Sequence, residues 1–298
     1  MKVLILGATG FIGLPAAQAL VRAGHIVYGL ARTPEKAKLL AREEIIPVLG
    51  DLDSNAWIQH IATFDVILEA VMGDNMAAQA RATFERVSKA AVDLRPAGAP
   101  LLSYIYTSGT WVHGDSRTEI VTDTTPILRP VELVAWRPAV EQLVVHSSAV
   151  NGIVVRPGLL YGRSGSILAP LFHGAAQGRV AWPGTPGGRY AVIHTDDLAD
   201  LYLHVAEKAQ LLGGKIFDAA NPTSVSVDEL LQRLVEVSGA KGPYDYTKPA
   251  NTFEEAIQST GLVRPYLANA LLGWSPKKLG LIDGLDTYYA AWLACIST

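Results

Sequence analysis

The chain has 298 residues, an apolar fraction of 49%, a net charge of −3 and a single cysteine, Cys295. This length suffices for one large domain or two smaller ones with a buried core. The small negative charge argues against bulk attraction to nucleic acid or an anionic membrane, and one cysteine excludes an internal disulfide. Apolar runs are too short for a membrane span or a signal peptide, so we expect a cytoplasmic protein with no nucleic-acid or membrane partner.

Short apolar runs alternate with amphipathic segments up to about residue 220, which predicts a parallel sheet built from βαβ units. The predicted strands are Val3–Leu6, Ile26–Leu30, Ile45–Leu49, Val66–Ala70, Leu101–Thr107, Gly152–Val155 and Ile216–Ala219. The predicted helices include Leu14–Arg22, closed by Gly24, and also Met76–Leu94 and Ala139–Ala149. The predicted fold class is therefore α/β, a Rossmann-type doubly wound parallel sheet.

The pattern changes after Gly162. Residues 178–189 form a Gly/Pro-rich stretch with too many breakers for the interior of a helix or strand, and the chain from Val225 onward indicates mostly helices and loops. We predict a dinucleotide-binding Rossmann domain from residues 1–165 plus 190–225. Residues 166–189 plus 226–298 would form a smaller substrate-binding region, with the substrate in the cleft between the two.

The first predicted strand is followed by a glycine-rich turn, Gly7-Ala8-Thr9-Gly10-Phe11-Ile12-Gly13. Glycines let the chain turn tightly and let a pyrophosphate approach backbone amides without Cβ atoms in the way. The phosphate charge then lies at the positive end of the following helix. A plain glycine-rich turn is the alternative. The order of strand, turn and helix favours a dinucleotide site.

The ends of the second and third strands bear on the choice of cofactor. An NAD site usually has a carboxylate after its second strand, where this chain has Arg32. A guanidinium pairs well with a ribose 2′-phosphate, so we expect NADP, although Arg32 could instead be a solvated loop residue. After the third strand, Asp51 precedes Leu52. The Asp51 carboxylate could accept from the adenine amino group, cap the next helix, or do both.

Several further segments occur in an order and spacing typical of one enzyme family. Besides the glycine turn they are Gly50-Asp51-Leu52, Tyr106–Gly114, Glu141, Arg156–Gly162 and His194–Ala199. With these pieces the chain resembles the extended or atypical short-chain dehydrogenase/reductases, the NAD-dependent epimerase/dehydratase-like group. The resemblance implies a nicotinamide pocket. Val71 would lie under the nicotinamide ribose, Thr107 and Ser108 beside the ring, and the run Pro157-Gly158-Leu159-Leu160 against the carboxamide.

Members of this family usually transfer a proton through a Tyr-x-x-x-Lys pair, and this chain lacks that pair. Aligned on Glu141, the tyrosine position is Leu133 and the lysine position is Arg137. The usual Ser/Thr position is Gly109. Arg137 could hold ribose hydroxyls or a substrate carboxylate, but it is a poor proton donor because it stays charged. Pro138 would either kink the helix or mark its first turn.

Four other residues are candidates for the missing catalytic groups, each with a structural alternative. The hydroxyls of Ser108 and Thr110 could hold a substrate oxygen or bond loop backbone. His113 has the chemistry for acid/base work, although a packed histidine is the more common role. Tyr161 could replace the missing tyrosine as proton donor or be structural.

Aromatic residues and a histidine-containing segment complete the sequence predictions. Trp136, Trp182 and Tyr190 would line an apolar substrate pocket. The segment His194-Thr195-Asp196-Asp197 resembles the family's helix cap rather than a metal site, and the seven histidines show no paired ligand spacing, so we predict no metal. Helices Met76–Leu94 and Ala139–Ala149 could pair in a homodimer, or simply bury against the sheet.

These observations favour an NADP(H)-dependent oxidoreductase acting on a small, fairly apolar carbonyl, alcohol or imine-like substrate. NAD is the less favoured cofactor. A redox-neutral epimerase, isomerase or lyase that keeps its cofactor bound is the first alternative. A non-catalytic NADP-binding regulator is the second, because the Tyr–Lys pair is missing.

Overall fold

The computed structural model describes residues 1–73, 75–164 and 166–296. The strands are β1 (Lys2–Leu6), β2 (Ile26–Ala31), β3 (Ile46–Leu49), β4 (Val66–Glu69), β5 (Ser103–Thr107), β6 (Ile120–Val121), β7 (Asn151–Pro157), β8 (Leu159–Tyr161), β9 (Ala181–Pro183), β10 (Arg189–Tyr190), β11 (Val192–His194), β12 (Ile216–Ala219), β13 (Val225–Ser226), β14 (Asp245–Thr247) and β15 (Leu262–Val263). The α-helices are α1 (Gly13–Arg22), α2 (Pro34–Arg42), α3 (Met76–Leu94), α4 (Arg137–Val145), α5 (Ala169–Ala176), α6 (Thr195–Glu207), α7 (Val227–Ser238), α8 (Thr252–Ile257), α9 (Leu267–Leu272) and α10 (Leu285–Ile296). Short 3-10 helices occur at Ile58–Thr63, Thr110–His113, Glu132–Val134 and Ala209–Leu211.

By their internal contacts these residues form two compact units. Unit 1 comprises residues 1–108, 136–156 and 198–217, and unit 2 comprises residues 109–135, 157–197 and 218–298. The predicted boundaries instead placed residues 109–135, 157–165, 190–197 and 218–225 with the first domain.

Unit 1 is built on a seven-stranded sheet with the order β12-β7-β5-β4-β1-β2-β3 and flanking helices, a Rossmann-like α/β fold. The strand pairs β7–β5, β5–β4, β4–β1, β1–β2 and β2–β3 are all parallel. All seven strands were predicted. Residues Val3–Leu6 of β1 are fully buried, and each buried aliphatic side chain stabilises the fold by about 1.5–3 kcal/mol. Parallel strands covered on both faces appear in a sequence as short apolar runs, which explains the success of the prediction.

Helices α1 and α2 of unit 1 have local sequence signals at their ends, whereas the bounds of α4 differ from the prediction. Helix α1 is followed by Gly24, whose positive φ of 83° confirms its predicted position just past the helix end. Helix α2 starts after Thr33, whose Oγ1 accepts from the Lys36 amide. Helix α4 (Arg137–Val145) begins two residues and ends four residues earlier than the predicted Ala139–Ala149. Pro138 lies in its first turn, where a missing amide is tolerated.

Unit 2 combines helices with two- and three-residue strand pairs around an apolar cluster. The pairs are β8–β11, β9–β14, β6–β15 and the antiparallel β10–β13. Strand β9 lies inside the Gly/Pro-rich stretch, so the prediction that no strand interior occurs there was wrong. The stretch is held by Arg117, which donates to the Pro186 carbonyl (2.7 Å), and by Asp228, which accepts from the Gly187 amide (2.7 Å).

Candidate functional site

The glycine turn of unit 1 forms a bare backbone cradle between β1 and α1. The Gly10 amide donates to the Gly7 carbonyl (2.9 Å), and the Leu14 amide donates to the Gly10 carbonyl (3.0 Å). The Ile12 cap position of α1 has no side-chain hydrogen bond. A helix N-terminus without a side-chain cap is a favourable place for an anion. The cradle therefore fits the pyrophosphate of a dinucleotide.

The three glycines of the turn have different reasons to lack a side chain. A Cβ on Gly13 would lie 2.2 Å from the Gly7 carbonyl oxygen, and one on Gly7 would lie 2.4 Å from the Ala70 carbonyl oxygen. Gly10 is exposed, and a Cβ there would meet only the Gly7 carbonyl oxygen, at 3.1 Å. Gly7 and Gly13 are thus required by packing, whereas Gly10 keeps open the space where a phosphate would approach.

Arg32 lies at the end of β2, and its side chain is exposed. The next residue, Thr33, caps α2, and Glu35 is an acidic residue in the first turn of that helix. The Glu35 carboxylate has a lowered pKa because it accepts a hydrogen bond from its own backbone amide and another from the Thr33 side chain. Arg32 therefore supplies a cation at the strand end where an NAD site would have an acid.

The loop after β3 is fixed by a residue that sequence reasoning missed. Arg86 on α3 donates to the carbonyls of Leu52 and Ser54 and stands 5.7 Å from the ring centre of Trp57. The Asp51 carboxylate accepts from the Asp53 amide at 3.1 Å. It does not cap the following 3-10 helix, whose cap position is Trp57, so that alternative was wrong. The adenine role of Asp51 and Leu52 stays a prediction.

The carboxyl ends of β4 and β5 meet in unit 1. Val71 follows β4 next to the glycine turn, since a Cβ on Gly7 would lie 3.2 Å from the Val71 amide nitrogen. The Thr107 hydroxyl bonds the Tyr202 hydroxyl at 2.7 Å. Ser108 donates its amide to the Val155 carbonyl (2.8 Å), but its buried hydroxyl has no protein partner among the described residues. A buried hydroxyl without a partner is unfavourable, so Ser108 fits a site completed by a ligand.

Arg137 is buried at the first position of α4, and it points toward the same strand ends. Its Nη1 donates to the Tyr106 hydroxyl and to the Thr107 carbonyl, both at 3.1 Å. The guanidinium lies 4.7 Å from the ring centre of Trp136. Arg137 is thus a fixed cation whose remaining N–H groups are available to a ligand hydroxyl.

A buried carboxylate–guanidinium pair anchors α4 to β7. Glu141 and Arg156 are joined by two hydrogen bonds of 3.0 and 2.6 Å, and both side chains are buried. A bidentate pair of this kind fixes orientation as well as distance. It therefore holds the helix that carries Arg137.

Seven of the predicted cofactor or catalytic positions lie in unit 2, namely Thr110, His113, Tyr161 and the run Pro157-Gly158-Leu159-Leu160. In the run Pro157-Gly158-Leu159-Leu160, the Gly158 amide donates to the Ala219 carbonyl (2.8 Å) and the Leu159 amide donates to the Ala191 carbonyl (2.8 Å). Thr110 is buried at the start of a 3-10 helix. The predicted contacts of these residues with cofactor or substrate stay predictions.

Tyr161 and His113 both have structural partners within unit 2. The Tyr161 hydroxyl donates to the Leu279 carbonyl (2.9 Å) and accepts from Asn221 Nδ2 (3.2 Å), and burial raises the pKa of Tyr161. His113 Nε2 bonds Asp218 Oδ2 at 2.8 Å, and both side chains are buried. These contacts favour structural roles for both residues, and their acid/base roles stay predictions.

Other expectations for unit 2 are decided by the geometry. Trp182 donates to the Tyr190 hydroxyl (2.8 Å), which donates to the Ile257 carbonyl (2.6 Å). Trp182 and Tyr190 belong to the buried apolar cluster, so they do not line an open pocket as predicted. The His194 segment caps α6 as expected, with His194 Nδ1 accepting from the Asp196 amide at 3.0 Å.

A cavity of about 300 Å³ lies in unit 2, and its lining mixes charged, polar and apolar residues. The lining residues are Asp115, Arg129, Pro130, Val131, Glu132, Leu133, Thr252, Glu255, Gln258 and Ser259. Leu133 is the residue that alignment on Glu141 assigns to the family's tyrosine position. Three carboxylates and a guanidinium contrast with the apolar pocket expected from the sequence.

Two further features concern all the residues that the structure describes. In residues 1–73, 75–164 and 166–296, no helix combines the length and apolarity needed to cross a membrane. Within those same ranges, no group of three or more His, Cys, Asp or Glu side chains is arranged to hold a metal ion.

Comparison with known proteins identifies the family. The NAD dependent epimerase/dehydratase family matches residues 3–220. The chain belongs to this family. One curated relative is the 4-hydroxy-2-methyl-3-oxo-4-farnesyl-3,4-dihydroquinoline-1-oxide ketoreductase of Stigmatella aurantiaca. The two sequences are 26% identical over 81% of this chain and 74% of the ketoreductase.

Solved structures support the fold of this epimerase/dehydratase family member. The human epimerase family protein SDR39U1 with NADPH is 18% identical, with a TM-score of 0.73 over 97% of this chain and 99% of that one. The dTDP-glucose 4,6-dehydratase of Bacillus anthracis in complex with NAD is 14% identical, with a TM-score of 0.81 over 99% and 97% of the chains. At these identities the likeness concerns the fold alone.

Proposed function

We propose that this protein is an NADP(H)-dependent oxidoreductase that interconverts a small carbonyl or imine-like compound and its reduced form. The observation that carries the proposal is the bare glycine cradle together with Arg32 at the end of β2. The cradle offers backbone amides to a pyrophosphate, and Arg32 offers a guanidinium to a 2′-phosphate. The ketoreductase name of the Stigmatella relative and the NADPH in the human structure support this choice.

Different residues of unit 1 would bind and orient the cofactor and the substrate. The nicotinamide of a bound dinucleotide would supply or accept hydride. Arg137 keeps its charge at any relevant pH and would hold ribose hydroxyls through its remaining N–H groups. The unpartnered hydroxyl of Ser108 would hold the substrate oxygen or the cofactor carboxamide. Arg86 positions the loop that contains Asp51 and Leu52.

Replacing Arg32 tests the choice between NADP and NAD. In Arg32→Asp we expect NADPH affinity to fall about 10- to 100-fold, because a charge-assisted hydrogen bond is replaced by repulsion. NADH affinity should change little. The measurement is a fluorescence titration of each reduced cofactor. Arg42→Asp, at the far end of α2, is the matched control and should bind like wild type; equal losses of both cofactors in Arg32→Asp would remove the phosphate role.

Tyr161→Phe tests whether Tyr161 acts as the proton donor in place of the family's missing tyrosine. We expect turnover to be kept and the unfolding free energy to fall by about 1 kcal/mol, because the hydroxyl bonds to the Leu279 carbonyl and Asn221 are lost. Urea denaturation and steady-state kinetics measure the two effects. A large loss of turnover at unchanged stability would assign the proton to Tyr161 instead.

The missing Tyr–Lys pair leaves a redox-neutral reaction or a regulatory role as competing functions. A panel of carbonyl compounds with NADPH separates them. Oxidation of NADPH with any panel member supports the proposed oxidoreductase. Conversion of a substrate without change in cofactor absorbance indicates an epimerase or lyase, and NADPH-dependent partner binding without turnover indicates a regulator.

A further inference from the structure

A buried carboxyl lies at the end of β4, outside every motif described above. Glu69 is the last residue of the strand and is 4% exposed. In the sheet it stands opposite Leu6 of β1 on one side and Tyr106 of β5 on the other. The chain continues from Glu69 through Ala70 and Val71, the residues that contact the glycine turn.

Three other side chains surround Glu69 on this face of the sheet. The Tyr104 hydroxyl donates to Glu69 Oε2. The Tyr106 hydroxyl accepts from Arg137, whose other hydrogen bond goes to the Thr107 carbonyl. Among described residues, the titratable or charged groups around Glu69 are thus the two phenols of β5 and the guanidinium of α4. The positions of α3 on this face, Met76, Gln79 and Ala80, have no charge.

A small cavity is lined both by Glu69 and by residues of the region expected to hold the nicotinamide ribose. Its volume is about 10 Å³, enough for a single water. Its lining residues are Glu69, Val71, Met76, Gln79, Ala80, Tyr106, Thr107, Trp136 and Arg137. Val71 and Thr107 are the positions that the family resemblance places beside the ribose and the ring. A dinucleotide bound there would cover this cavity.

Burial sets the protonation of Glu69. It raises the pKa of this carboxyl to about 7, although the Tyr104 hydrogen bond and the charge of Arg137 oppose the shift. A carboxylate loses more hydration than a carboxylic acid when solvent is removed. Covering the cavity will therefore favour the protonated form further.

We propose that Glu69 is the proton-holding residue of the cofactor site and takes up a proton when a reduced pyridine dinucleotide binds. The inference rests on the proposed function, because it requires that a dinucleotide occupy unit 1. Glu69 thus supplies the proton that the missing Tyr–Lys pair would have supplied. Reduction of a carbonyl consumes one proton for each hydride, so the O–H bond of the Glu69 carboxyl breaks as the O–H bond of the alcohol forms. The carboxylate that remains accepts from Tyr104, and it is reprotonated from water once the dinucleotide has left and the cavity is open again.

Calorimetry of NADPH binding in buffers of different ionisation enthalpy measures the proton directly and requires no turnover. At about pH 7.5 we expect wild type to take up about half a proton more than Glu69→Gln, given a free pKa of about 7 and a rise of about one unit on binding. Titration of the 2′-phosphate contributes equally to both proteins and cancels in the difference. Glu85→Gln, an exposed position on α3, is the matched control and should behave like wild type.

Equal proton uptake by wild type and Glu69→Gln would overturn the inference and leave the proposed function standing. Failure of wild type to bind any dinucleotide would remove both. Should Glu69→Gln misfold, Tyr104→Phe provides the second test. Loss of the phenol removes a hydrogen bond that favours the carboxylate, so maximal uptake should move to higher pH by about one unit. An unmoved pH profile in Tyr104→Phe contradicts the proposal.

Discussion

Replacing Gly10 with valine is expected to weaken NADPH binding by at least about a hundredfold, or about 2.7 kcal/mol, with the fold intact. Gly10 is the exposed glycine of the turn, and a Cβ there meets only the Gly7 carbonyl oxygen, at 3.1 Å. The branched side chain would occupy the space where a phosphate approaches the amides, while the hydrogen bond from the Gly10 amide is unaffected. Fluorescence titration with NADPH and a thermal melt of the free protein measure the two quantities.

Gly13→Ala is the informative comparison for this variant. Its new Cβ would lie 2.2 Å from the Gly7 carbonyl oxygen, so it should lower stability before any ligand is added. The free energy of unfolding of Gly10→Val should instead lie within about 1 kcal/mol of the wild-type value. Wild-type affinity for NADPH in Gly10→Val would show that the turn does not receive the pyrophosphate, and the proposed function would lose its foundation.

Glu69→Gln is expected to make the protein's stability less dependent on pH. The folded-state pKa of Glu69 is raised from 4.5 to about 7, so the native state binds more protons than the unfolded state between those values. Its contribution is complete below pH 4.5 and is lost as the pH rises through about 7. Between about pH 5 and about pH 8, the free energy of unfolding of wild type should therefore fall by about 2 to 3 kcal/mol relative to that of the glutamine variant.

Urea denaturation of both proteins at the two pH values measures this difference. Glutamine keeps an oxygen that accepts from Tyr104, so the comparison isolates the titration of the carboxyl. Glu85→Gln, a change of the same kind at an exposed position of α3, again serves as the control and should follow wild type. Parallel pH profiles for wild type and Glu69→Gln would mean that Glu69 has an ordinary pKa in the folded protein.

Sequence patterns were sufficient for the sheet of unit 1 and insufficient for the strands of unit 2. Residues such as Leu4 and Ile5 are buried on both faces, and that burial produces a local apolar run. The strand Ala181–Pro183 exists because it pairs with Asp245–Thr247, more than 60 residues further along the chain. Neither segment has a local strand signal, so only the tertiary fold determines them.

The site shows the same division between local and distant information. The glycine turn was predictable because strand, turn and helix are consecutive. Arg86 was missed because a basic residue inside an amphipathic helix is unremarkable until its loop partners are known. Glu69 had one overlooked signal, an acid inside the apolar run Val66–Ala70. The pairing of His113 with Asp218, 105 residues apart, had none.

The interleaved composition of the two units has a consequence for how the chain acquires its structure. Strand β7 lies between β5 and β12 in the sheet, and β12 begins only at Ile216. A nascent chain that ends before that residue leaves the edge of β7 open, and unit 2 additionally needs segments from three separate parts of the sequence. Such long-range closure slows folding and exposes unpaired strands to aggregation. Fragments that stop short of β12 should therefore be poor substitutes for the whole chain in expression trials.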